Sequence, residues 1–136
     1  MKVPLDGEKT LCICVDFDGT VVTHNYPDVG DSIGAESVLK ELVDKGHHLI
    51  LNTMRSGYNL DLATSWFQDR QIPLYGVNEH PTQKSWTESP KVYGHLYIDD
   101  AALGCPLIYD MTKHKRSFVD WDGVRRALVS MGVLDG

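Results

Sequence analysis

No stretch of about 18 consecutive apolar residues occurs in the chain, so nothing in it reads as a membrane span. Cysteine is scarce, three in all with no CxxC pair, which removes the usual spacing of a structural zinc site. Cys12 and Cys14 stand two apart in an apparent strand, on one face but poorly placed to bridge each other. All three are expected to be reduced thiols in a reducing compartment. Positive charge is in deficit, 13 basic residues against 19 acidic, for a formal net charge of −6. An anionic surface repels nucleic acid unless its basic residues cluster or a metal intervenes. The one dense basic run, Lys113-His114-Lys115-Arg116, reads as a solvated loop before the last helix. No basic residues interleave with Trp66, Phe67 and Trp121, which read as core or subunit contacts and not as a base-stacking platform. Internal repeats, low-complexity tracts and linkers are absent. The opening Met1–Lys9 stretch lacks the apolar centre of a signal peptide, so a cytoplasmic protein with no membrane partner is expected.

What is present is ordinary globular material, 42% apolar and 24% charged over 136 residues. A single domain spanning 1–136 is expected, since two would each be too small for a good core. Thr10–Val15 is a short continuous apolar run, the mark of a strand buried on both faces. Ala35, Val38, Leu39, Leu42 and Val43 recur with helical period, and Gly46 is placed to stop that helix. His48–Thr53 reads as a second strand, and Leu62, Ala63, Trp66 and Phe67 mark a second helix ending before Pro73. Leu74–Asn78 is a weaker third strand, His80–Pro90 a loop, His95–Ile98 a fourth strand and Leu107–Tyr109 a fifth. Asp120 reads as the N-cap of a last helix with Val124, Ala127, Leu128 and Met131 inward and Gly132 closing it. The alternation predicts an α/β domain, a mainly parallel, Rossmann-like sheet flanked by helices.

Ligands of open α/β sheets gather at the carboxyl ends of the strands. Three predicted strands end there in polar residues: Asp16 and Asp18, then Thr53, then Asp99 and Asp100. Converging carboxylates repel one another unless a cation neutralises them, and an all-oxygen site with waters suits Mg²⁺. Arg55, two residues beyond Thr53, reads either as a grip on an anionic part of the substrate or as a surface ion pair. His24, Asn25, Tyr26 and Pro27 form a flap-like loop suited to substrate contact; His47 and His48 read as solvated strand-entry residues.

Asp16-Phe17-Asp18-Gly19-Thr20, a strand-end Thr53, a downstream lysine and Asp99-Asp100 resemble, in order, the four motifs of the haloacid dehalogenase (HAD) superfamily of phosphohydrolases. The resemblance runs from about residue 10 to 110, and its most specific element is the DxDGT that follows an apolar strand. It implies Mg²⁺-dependent hydrolysis of a phosphate monoester through an aspartyl-phosphate. Asp16 is then the nucleophile and a metal ligand, while Asp18 is the general acid and base whose main-chain carbonyl completes the metal shell. Phe17 packs away from the crevice. Gly19 and Thr20 lie at the phosphate, Gly19 through its amide, and Thr53 donates its hydroxyl to a phosphate oxygen. Asp99 ligates the metal directly, and Asp100 directly or through a water. The lysine that offsets negative charge is Lys91, preferred over Lys84 because it closely precedes the fourth strand. Neither interval between motifs has room for a cap domain, so the chain resembles the minimal, capless branch. Its site is open unless a second copy covers it.

A small phosphorylated metabolite is the expected substrate, with nucleotide or polynucleotide ends as the alternative. A receiver-type phospho-acceptor also uses clustered aspartates, Thr and Lys on an α/β sheet. It places its acidic pair on the first strand and the acceptor on a middle one, unlike the order here. A non-catalytic phosphate-binding domain is the remaining reading.

Overall fold

The computed structural model describes residues 10–110 and 115–136. The first apolar run becomes β1 (Cys12–Val15), followed by α1 (Ala35–Asp44), β2 (His48–Leu51), α2 (Gly57–Asp69) and β3 (Gly76–Val77). A short 3-10 turn (Gln83–Ser85) precedes β4 (Leu96–Ile98), β5 (Leu107–Ile108), β6 (Phe118–Val119) and α3 (Trp121–Ser130). Among the described residues no helix is long and apolar enough to cross a membrane. The predicted helices stand where the periodicity placed them. Gly46, at φ 95°, follows α1, and the Asp120 carboxylate accepts from the Gly123 amide at the start of α3.

Four strands form one all-parallel sheet in the order β3-β2-β1-β4. The steps from β1 to β2 and from β2 to β3 run in the same direction, so right-handed crossovers put α1 and α2 on one face. That face buries Leu11, Ile13, Val15, Leu49 and Leu51 against Val38, Leu39, Leu42, Ala63, Trp66 and Phe67, and α3 joins it through Val124 and Leu128. Each fully buried Val, Leu, Ile or Phe side chain among them contributes about 1.5–3 kcal/mol. The alternate strand residues Cys12, Cys14 and Ile50 face the other way and are covered by Tyr75 and Val92. This is the side to which the return connection from β3 to β4 must go. Its turn is held by buried Gln83, whose amide donates to the Ser89 and Lys91 carbonyls and accepts from the Tyr93 amide.

Two expectations change. The fifth predicted strand does not extend the parallel sheet: β5 pairs antiparallel with β6 in a separate two-stranded sheet. His47 is not a solvated entry residue. It is buried, its Nδ1 accepting from the Leu11 amide and its Nε2 donating to the Val133 carbonyl, both at 3.1 Å. Burial holds its pKa below the usual imidazole value, and the two bonds fix its neutral tautomer. The three cysteines form no disulfide.

The strand order determines where chemistry can sit. The chain moves outward from β1 through β2 to β3, then returns to the opposite side of β1 to lay down β4. The reversal leaves a crevice at the carboxyl ends of β1 and β4, the position where open α/β sheets bind ligands.

Candidate active site

Beyond β1 the ladder continues for one bond, the Asp16 amide donating to the Ile98 carbonyl at 3.0 Å, and then the chain turns sharply. The Phe17 carbonyl accepts from the amides of Thr20 and Val21, and Gly19 takes φ +78°. Any side chain at Gly19 would collide with the His24 imidazole and the Asp100 carboxylate, so close approach and backbone conformation both require glycine. Phe17 is fully buried against Trp66 and Phe67, as expected. The turn is clamped from behind by the C-terminal part of the chain: the Val119 amide donates to the Gly19 carbonyl, and the Trp121 indole to the Thr20 carbonyl at 2.7 Å.

Asp16 from the end of β1 and Asp99 and Asp100 from the end of β4 meet in the crevice. One ligand oxygen from each lies within 4.8 Å of the others. Burial, reinforced by the neighbouring Asp99 and only partly offset by bonds from Thr20 and Phe17, pushes the Asp16 carboxyl up to about 7. The Thr20 hydroxyl donates to Asp16 Oδ2 at 2.9 Å and accepts from the Asp100 amide at 3.0 Å, so it holds the two acids in register. Asp99 Oδ1 accepts from the Ala101 amide, and His24 Nε2 donates to Asp100 Oδ2 at 2.7 Å. Three hard oxygen donors that repel one another fit a divalent cation of the Mg²⁺ kind.

The burial of Asp16, with that repulsion, makes metal-free stability depend on pH. The folded state holds the Asp16 proton up to about pH 7, whereas an unfolded Asp loses it near 3.9. Over that window the native state binds more protons, so stability falls as pH rises from about 4 to about 7. In EDTA at pH 8, Asp16→Asn is therefore expected to melt higher than wild type, by about 2 kcal/mol or about 6 °C. The difference is expected to vanish near pH 4, and scanning calorimetry at the two pH values checks it.

Asp18 does not share in that cluster. Its carboxylate is paired with Arg55, Oδ2 accepting from Nε at 2.8 Å and Oδ1 from Nη2 at 2.7 Å. Only its main-chain carbonyl is left to serve a metal, the part the resemblance assigned to that group. Arg55 is not an open grip for substrate: it is buried, and all five of its N–H bonds are spent. Beyond the two on Asp18, they go to the carbonyls of Pro27, Asp28 and Asn59. The guanidinium stacks between the Phe17 and Tyr26 rings, with centroids 5.2 and 5.1 Å away. It ties the flap, the start of α2 and Asp18 together.

Two further expectations are corrected by the hydrogen bonds. The Gly19 amide is directed to the Val22 carbonyl at 2.7 Å, not to a phosphate position. Thr20 is fully buried and orients acids instead of touching substrate. Thr53 is placed as predicted: it lines the cavity, its hydroxyl accepts from the Arg55 amide at 3.2 Å, and its own hydrogen remains to donate. Lys91 is not brought to the crevice. It lies toward the amino end of β4, with Nζ 5.5 Å from the centroid of the Tyr97 ring, while Lys84 lines a hollow beside the 3-10 turn.

The cavity has a volume of about 560 Å³ and is lined by the acids, by Thr53 and Met54, by His24 and Tyr26 of the flap, and by Arg116, which the sequence did not place there. Within the basic run only Lys115 and Arg116 are described; Lys113 and His114 lie outside the described residues. The basic run marked Arg116 only as a solvated loop residue, because it reaches the site through the long-range Val119–Gly19 bond and not through a motif.

No family model and no curated protein matches the chain. Among solved structures it is similar to a conserved protein from Bacteroides thetaiotaomicron, at 33% identity over 89% of this chain and 90% of that one, with a TM-score of 0.71.

Proposed function

Starting from membership of one family with the Bacteroides thetaiotaomicron protein, we propose that this chain is a Mg²⁺-dependent phosphatase that hydrolyses a phosphate monoester through an aspartyl-phosphate on Asp16. The observation that carries this reading is the meeting of Asp16 with Asp99 and Asp100 where the strand order reverses. The carboxylates of Asp16, Asp99 and Asp100, with the Asp18 carbonyl, would hold Mg²⁺, which supplies Lewis-acid neutralisation of phosphoryl charge.

The chain's own residues account for the remainder. An Asp16 oxygen attacks phosphorus and the bond from phosphorus to the ester oxygen breaks. The leaving oxygen takes a proton from the Asp18 carboxyl and departs as the alcohol. A water then attacks the aspartyl-phosphate, Asp18 removes its proton, and inorganic phosphate leaves with Asp16 regenerated. Thr53 donates its free hydroxyl hydrogen to a phosphoryl oxygen. For both transfers one Asp18 oxygen must leave its bond to Arg55, which keeps the carboxylate aimed through the other. Thr20 and His24 hold the faces of Asp16 and Asp100.

Purified protein with Mg²⁺ is expected to release p-nitrophenol from p-nitrophenyl phosphate, and EDTA to stop the release until Mg²⁺ is restored. No turnover with Mg²⁺ on any aryl phosphate would sink the reading.

A further inference from the structure

We propose that Arg116 is the cation that receives the phosphoryl group in this cavity. This rests on the phosphatase reading and names a residue of the site that the motifs do not supply. Of the ionised groups lining the cavity, Arg55 and Asp18 cancel each other in a closed pair. Asp16, Asp99 and Asp100 are left, and a divalent cation reduces their charge without removing it. A phosphate monoester arrives with between one and two further negative charges near neutral pH. Without another positive group the dianion meets a net negative crevice of half-buried carboxylates, where repulsion is stronger than in water.

Arg116 is the free cation among the described residues that line this cavity. It makes no hydrogen bond or ion pair to any described residue and is exposed to the solvent from which the substrate comes. It is also held in place. Three residues on, the Val119 amide bonds the Gly19 carbonyl, and β6 pairs with β5, so its main chain is anchored to the turn that carries Asp16. A planar guanidinium with unspent donors suits the oxygens of a phosphoryl group better than a point charge. The two lysines that the motif resemblance offered lie elsewhere, Lys91 over Tyr97 and Lys84 beside the 3-10 turn.

Two measurements on the full chain test the assignment. One is calorimetric titration of the Mg²⁺-loaded protein with inorganic phosphate, which carries no leaving group and requires no turnover. The other is kcat/KM on p-nitrophenyl phosphate. Arg116→Ala is expected to weaken phosphate binding at least tenfold and lower kcat/KM by at least as much, with the melting temperature unchanged. Arg116→Lys is expected to recover part of the phosphate affinity, and Arg116→Glu to lose more than the alanine variant. Wild-type phosphate affinity in Arg116→Ala would overturn the proposal, as would a loss confined to Lys91→Ala. If wild type binds phosphate through Arg116 but hydrolyses no phosphomonoester, the phosphatase reading fails and the Arg116 site stands. If wild type hydrolyses the ester and Arg116→Ala matches it in both measurements, the Arg116 assignment fails alone.

Discussion

Asp16→Asn is expected to abolish hydrolysis of p-nitrophenyl phosphate, lowering kcat by at least about 10³-fold, in a protein that remains folded. An amide oxygen is a poor nucleophile toward phosphorus and a weak ligand for a hard cation, so one substitution removes both functions of the position. Replacement by a neighbour is prevented by the geometry: the free oxygens of Asp99 and Asp100 belong to the same cluster, and the Asp18 carboxylate is closed against Arg55. Loss of activity through unfolding is separated by the stability expectation, because the neutral amide relieves the charge burial and the repulsion that raise the Asp16 pKa. Activity with Mg²⁺ should therefore fall while the melting temperature in EDTA at pH 8 rises. A variant that retained the wild-type rate would remove Asp16 from the role of nucleophile, and one that melted far lower would show that the charged carboxylate stabilises the fold.

The parts of the site that were legible in the sequence are those where position along a strand equals position in space. In a parallel sheet every strand ends at the same edge, so Asp16, Thr53, Asp99 and Asp100 could be assigned to one crevice from the ends of their apolar runs. The same rule placed Lys91 badly: a residue that precedes a strand stands at its amino end, away from the chemistry, as the ring contact to Tyr97 shows. Side-chain direction was not legible. Arg55 is two residues beyond Thr53 and charged, which suggested an outward grip or a surface ion pair. It turns inward because carbonyls of the flap and of the start of α2 converge on one fork-shaped donor set. Thr20 and His47 were likewise misjudged, since their burial follows from contacts with Asp100 and Val133, 80 and 86 residues away. The β5–β6 pair was missed as a unit because two-residue strands leave no period to read.

Arg55→Met is expected to cost about 3–5 kcal/mol of stability, lowering Tm by about 10–15 °C, because it strands a half-closed carboxylate and three carbonyls at once. Arg55→Lys is expected to recover only part of this, as an ammonium has three donors and cannot present a planar fork to both Asp18 oxygens. These results would distinguish a positioning residue from a substrate grip. A grip would raise KM, leave Tm at the wild-type value and be largely rescued by lysine. A double-mutant cycle makes the separation sharper. Asp18→Asn should destabilise the wild-type background substantially and the Arg55→Met background much less, with a coupling of about 1–3 kcal/mol, because in the second case the pair is already broken. In the same series kcat should fall with Arg55→Met even on p-nitrophenyl phosphate, whose leaving group needs little help from a proton. Hydrolysis of the aspartyl-phosphate still depends on Asp18 being aimed at water. Additive losses of stability in the cycle would mean that the pairing of Arg55 with Asp18 contributes nothing to the fold, and the aiming of the catalytic carboxylate would need another cause.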